Sequence, residues 1–190
     1  MGTNRLEAFS DGVLAIIITI MVMGLKVPEG MDWSALRPIL PVALSYVLSF
    51  VYVGIYWNNH HHLFQLAQKT SGSVLWANLF LLFWLSLFPI TTAWLGDHPH
   101  ASAPSMLYGM LLLLGAIRFY VLEQRIIAVD PNNQALKISL GRNFKGKLSP
   151  LCYVLGIVLA YFSPLLGQLI YAIMAALWLI PDRGMEQAAQ

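Results

Sequence analysis

From Leu148 to Ile180 the chain runs for 33 residues without an acidic or a basic side chain. As one helix, at about 1.5 Å per residue, that stretch is about 50 Å long, whereas the hydrocarbon core of a bilayer is about 30 Å thick. It therefore has to break and cross twice. FSPLLG, at residues 162–167, supplies the break, because its proline cannot continue a preceding helix and its glycine eases the turn. The spans on either side cover residues 148–162 and 165–180.

The rest of the chain obeys the same rule. Hydrophobic residues make up 58% and charged residues 11%, where soluble domains carry about 25% charge; the class is all-α, a polytopic membrane protein. Four further spans are predicted at residues 5–25, 36–57, 74–94 and 106–122, so that residues 1–190 form a single six-helix transmembrane domain with no separate soluble part. Ser34 is placed to cap the second helix, the Ser71-Gly72 pair to end its polar tail, and Pro89 to lie within the third. Trp33, Trp57, Trp76, Trp94 and Tyr153 sit near span ends, where interfacial anchors belong.

Basic residues orient the bundle. With the N-terminus in the cytoplasm, Arg5, Lys69, Arg118, Arg125, Lys137, Arg142, Lys145, Lys147 and Arg183 fall inside, and only Lys26 and Arg37 fall outside. Both termini are thus predicted to be cytoplasmic. Glu7 and Asp11 stand where a signal peptide carries basic residues, and no small-residue cleavage site follows, so the first helix is expected to stay. The start MGTNRL lacks the hydroxyl residue that a myristoylation signal places at Leu6. The single cysteine, Cys152, has no partner for a disulfide or a thiolate metal site.

The first helix carries the most information. In RLEAFSDGVLAIIITIMVMGLKVP the polar residues Glu7, Ser10 and Asp11 stand directly ahead of an apolar run from Gly12 to Leu25. At about 100° per residue, Ile16, Ile20 and Met23 fall within about 60° of one another, with Phe9 and Gly12 on the same side and Thr19 at the flank. On the wheel alone this stripe suits lipid and a pore axis equally. Ser10 and Asp11 point away from it, toward neighbouring helices, where a buried carboxylate needs donors.

Topology supplies those donors. The first helix begins and the second ends at one face, so Arg5, Ser10 and Asp11 share a level with Trp57, Asn58, His60, His61 and His62, and with Asn78 near the start of the third helix. An imidazole, an indole or the amide can satisfy Asp11, which makes the cluster a structural clamp on the first helix or, if its histidines change charge, a titrating sensor. Consecutive helical residues diverge by about 100° and cannot all ligate one ion, so no metal site is predicted. GxSxG, HExxH and phosphate-cradling glycine motifs are absent; no enzyme activity, cofactor or nucleic-acid partner is predicted.

Arg5, Phe9, Ser10 and Asp11 reproduce the RxxxFSD pattern that opens the first helix in the family of the lysosomal transmembrane potassium channel and its bacterial relatives. The continuation GVLAIIITIMVMGLKVP and the segment YWNNHHHLF also resemble that family, and the resemblance covers the whole chain as a six-helix unit. It implies a potassium-selective cation channel, homotetrameric, in the cell inner membrane or plasma membrane, with the first helix lining the pore and apolar side chains forming the constriction. By position it also implies Ile16 at the principal constriction, Thr19 at a hydroxyl-bearing layer and Met23 where relatives often carry leucine. The residues themselves add that TVGYG is absent, and that rings of Ile16, Ile20 and Met23 offer closure by dewetting. A small secondary transporter is the alternative, its site framed by Ser86, Pro89, Thr91 and Thr92 of the third span.

Overall fold

The computed structural model describes residues 3–134, 136, 137 and 144–180. Arg142 and Arg183 of the charge count above lie outside them. The helices are α1 (Thr3–Met23), α2 (Leu40–Leu66), α3 (Gly72–Leu85), α4 (Phe88–Asp97), α5 (Ser102–Val129), α6 (Phe144–Phe162) and α7 (Pro164–Leu179). α3 and α4 are the two parts of one broken span, Gly72–Asp97. Among the described residues these make six spans: five are long and apolar enough to cross a membrane, and Pro164–Leu179 is shorter.

Why α1 is a helix follows from the solvent. Ile16, Ile17, Ile18, Thr19 and Ile20 are five consecutive β-branched residues, a run that in water favours a strand. Hydrocarbon offers no partner for an unpaired N–H or C=O, so the backbone must satisfy itself, and within one segment only a helix does that. The helix ends with the amides of Gly24 and Leu25 donating to the carbonyls of Met21 and Val22 at 3.2 and 3.1 Å. Lys26 and Pro28 follow.

Ser34 does not cap the second helix. It lies inside a 3-10 helix, Trp33–Ile39, which contains Pro38 and runs into α2, with Pro41 in the first turn of α2. A proline there loses no hydrogen bond, since first-turn amides have no partner within the helix. The third span breaks at Ser86 and Leu87, just ahead of Pro89, which then occupies the first turn of α4. The hydroxyl of Ser86 closes the end of α3 by donating to the carbonyl of Phe83 at 2.7 Å.

α5 is the central element, packing against α3, α4, α6 and α7, while α2 packs against α1 and α4. α6 and α7 form a hairpin that turns at Ser163, in extended conformation. Their approach is close: a Cβ on Gly167 would stand 2.6 Å from that of Ala160. A Cβ on Gly109 or Gly156 would collide with the ring of Tyr171, which is fully buried between α5 and α6. The carbonyl of Tyr171 accepts from the hydroxyl of Tyr52 at 2.7 Å, tying α7 to α2. Tyr153 is not an interfacial anchor; it is buried edge-on against Tyr52, with ring centroids 6.1 Å apart.

Candidate functional site

α1 and α2 run antiparallel, and the side chains joining them form a two-rung ladder. Glu7 and Asp11 are four residues apart on α1, as Trp57 and His61 are on α2, so each pair lies on one helix face. The indole Nε1 of Trp57 donates to Asp11 Oδ1 at 3.0 Å, and His61 Nδ1 donates to Glu7 Oε1 at 2.7 Å. The rings of Trp57 and His61 stack, 5.9 Å between centroids and 12° from parallel. Gln65 donates to the other nitrogen of His61 at 2.8 Å, an arrangement that suits the neutral ring with its proton on Nδ1.

A second set of bonds ties α1 to α3. Asn78 Nδ2 donates to Ser10 Oγ at 2.9 Å, and Ser10 Oγ donates on to the carbonyl of Leu6 at 2.9 Å. With its amide nitrogen engaged in that way, Asn78 presents Oδ1 to His60 Nε2 at 2.8 Å, and the imidazole donates. The result is a one-way chain, His60 to Asn78 to Ser10 to Leu6. Ser10 and Asn78 are fully inaccessible and His60 nearly so, which makes each bond worth more than an exposed one. The remaining nitrogen of His60, Nδ1, is buried with no partner among the described residues.

The assignment of partners differs from the simplest expectation for Asp11. Of the candidates, Trp57 reaches Asp11, His60 and Asn78 serve Ser10, and His61 serves Glu7. The side chains of Asn58 and Arg5 are exposed and make no hydrogen bond or ion pair among the described residues. His62 makes no hydrogen bond through its side chain among the described residues, and its ring centroid lies 5.8 Å from that of His61. Glu7 is the member of the ladder that reading by motif overlooks, because it fills a variable position of RxxxFSD. Its signal is the matched four-residue spacing of Glu7 and Asp11 against Trp57 and His61 on an antiparallel partner.

The stripe behaves in the opposite way. Leu14, Ile17 and Met21 are buried against the rest of the bundle, whereas Ile16, Ile20 and Met23 are 60%, 51% and 78% exposed, with Phe9 also outward. Thr19 is exposed beside them, its hydroxyl donating to the carbonyl of Ala15 at 2.9 Å. Among the described residues, nothing covers this face.

The hydroxyls of the third span are occupied by the break and by neighbouring helices. Thr91 donates to the carbonyls of Leu87 and Phe88, both at 3.1 Å, in the turn that Pro89 disrupts. Thr92 pairs with Ser49 at 2.6 Å, and Ser49 with Tyr108 at 2.9 Å. The carbonyl of Thr92 accepts from Ser45 at 3.1 Å. These side chains bind α4 to α2 and α5, as hydroxyls in membrane bundles commonly do.

Broken third span, polar anchor and outward apolar stripe together define a multi-pass helical membrane protein. The chain belongs to the family described as endosomal/lysosomal potassium channel TMEM175, whose profile matches residues 5–89, the segment that holds the ladder, the Ser10 chain and the stripe. It is 54% identical to a potassium channel of a Chryseobacterium species, over 99% of this chain and 98% of that one. It is 30% identical to a potassium channel of Streptomyces collinus, over 91% and 89%. The crystal structure of a lysosomal potassium-selective channel TMEM175 homolog from Chamaesiphon minutus superimposes with a TM-score of 0.80 at 28% identity, covering 94% of this chain and 96% of that one.

Proposed function

We propose that this chain is a potassium-selective cation channel, a homotetramer whose pore is lined by α1. The observation that carries this reading is the pairing of the two faces of α1: one locked by directional hydrogen bonds, the other bare and apolar, with Ile16, Ile20 and Met23 in line. One chain contributes a single such stripe, so an aqueous path along it requires copies around an axis, and closed cyclic assembly provides them. Relatives similar along nearly their whole length carry the name potassium channel, which supports the choice of ion.

In that assembly Ile16, Ile20 and Met23 form successive apolar rings. A narrow apolar ring closes by expelling water, and an ion that passes must shed part of its hydration shell. Potassium holds its water less tightly than sodium, so such a ring already favours potassium. The orientation with both termini in the cytoplasm, and a place in the cell inner membrane or plasma membrane, complete the proposal. The test is electrical recording from purified protein in planar bilayers. Unitary current steps with a potassium-favouring reversal potential are expected; slow saturable counterflow would point to a transporter, and silence from a correctly assembled oligomer would refute both.

A further inference from the structure

A cavity of about 620 Å³ opens between α2, α5, the Lys137 segment and α6, with Trp178 of α7 in its wall, at the end of the bundle where α1 begins. That volume lies in the range of small-molecule sites. Six aromatic rings line it, and the polar tips of two of them are already bonded. Tyr52 donates to the Tyr171 carbonyl at 2.7 Å, and Trp178 donates through Nε1 to Ser149 at 2.9 Å. What these rings offer the cavity is carbon and π-surface.

One acidic side chain lies in this wall. Glu123 is 8% exposed, lines the cavity and makes no hydrogen bond or ion pair among the described residues. A buried carboxylate without a donor or a cation is costly, and aromatic walls suit an ammonium above other cations. At the same cavity stand Lys137 and Lys147, both exposed. A simple cation meets repulsion from Lys137, and a simple anion meets repulsion from Glu123. A molecule carrying both charges matches both.

We propose that this cavity binds the headgroup of a zwitterionic amphiphile, an ammonium joined to a phosphate, with the ammonium on Glu123 among the aromatic rings and the phosphate toward Lys137. Ile127, one turn beyond Glu123 and also in the lining, takes the start of its apolar tail. The site is separate from the α1 stripe and does not depend on which ion the protein conducts.

The test is native mass spectrometry of the purified assembled protein in detergent, titrated with short-chain phosphatidylethanolamine or with phosphatidylglycerol, which keeps the phosphate and lacks the ammonium. Phosphatidylethanolamine is expected to bind about tenfold tighter, the scale of one charge-assisted hydrogen bond, and Glu123→Gln to remove that preference. Displacement by soluble phosphoethanolamine would assign the site to a free headgroup compound; failure to displace would assign it to the intact lipid. Equal binding of the two lipids by the wild-type protein overturns the proposal, as does an undiminished preference in Glu123→Gln. Should that variant not assemble, the wild-type comparison decides alone.

Discussion

The two halves of α1 are held by different physics. Its opening turns are fixed by hydrogen bonds of defined direction, Trp57 to Asp11, His61 to Glu7 and Asn78 to Ser10. Its later turns are held by apolar packing of Leu14, Ile17 and Met21, with one weak contact from the Thr92 hydroxyl to the Met21 sulfur at 3.8 Å, and the facing residues are bare. In a bilayer, lipid tails are as apolar as a leucine side chain, so apolar packing alone does little to set the rotation of a helix about its own axis. Directional bonds do set it. The polar end therefore determines where the stripe points, although the two lie more than a helical turn apart.

Breaking the buried chain should have the largest effect. Asn78→Leu strands the Nε2–H of His60 and leaves Ser10 without its donor, at about 1 to 3 kcal/mol for each unsatisfied group. The lower end applies here, because a membrane-embedded unfolded state also offers partners. The expected outcome is a sharp fall in the assembled fraction on size-exclusion chromatography. Wild-type assembly would mean that the rotation of α1 is set elsewhere.

Next in size is the stripe itself. Ile16→Asn places an amide in the first apolar ring of the proposed pore, wets it and raises basal cation flux by at least about tenfold, equivalent to about 1.4 kcal/mol off the barrier. Flux is read from ion uptake into proteoliposomes. Unchanged flux through a normally assembled oligomer would remove Ile16 from the constriction.

How far the chain could be read before its structure depends on which physics each feature uses. The spans and the stripe were legible because burial in lipid and helical period both leave their mark on every turn, as with Ile16, Ile20 and Met23. The break in the third span was only half legible: Pro89 signals a disturbance, but the kink falls ahead of it, at Ser86 and Leu87, because a proline is tolerated in the first turn of the helix it opens. Partner choice in the anchor was not legible. Trp57, His60, His61 and Asn78 all sit at the level of Asp11, and which donor meets which acceptor depends on side-chain direction rather than on level. Tyr153 failed for a related reason, since proximity to a span end says nothing about which side of the helix faces lipid.

Asp11→Ala sharpens the contrast between the buried and the half-exposed parts of the anchor. The donor it strands, the Trp57 indole, belongs to a residue that is 47% exposed, so water or a lipid headgroup can replace the carboxylate. The loss should be about 1 kcal/mol, below that of Asn78→Leu, and visible as a lower unfolding temperature with the oligomer still present. A loss of assembly equal to that of Asn78→Leu would show that the ladder, not the Ser10 chain, carries the anchor.

The smallest expected effect lies in the stripe's one hydroxyl. Thr19 donates its proton to the carbonyl of Ala15 at 2.9 Å, a back-bond that threonines in membrane helices commonly make. That bond uses the proton and leaves oxygen lone pairs, which are what a partly dehydrated cation needs. The back-bond and an ion contact are therefore compatible, and the first even orients the oxygen for the second. Thr19→Val keeps the shape, removes the oxygen and returns the Ala15 carbonyl to its ordinary helical bond. The variant should assemble normally yet show a potassium-to-sodium permeability ratio about twofold lower in reversal potentials under bi-ionic conditions, or about 0.4 kcal/mol of differential barrier. A ratio equal to wild type would confine the hydroxyl to the helix backbone and leave discrimination between the ions to the apolar rings.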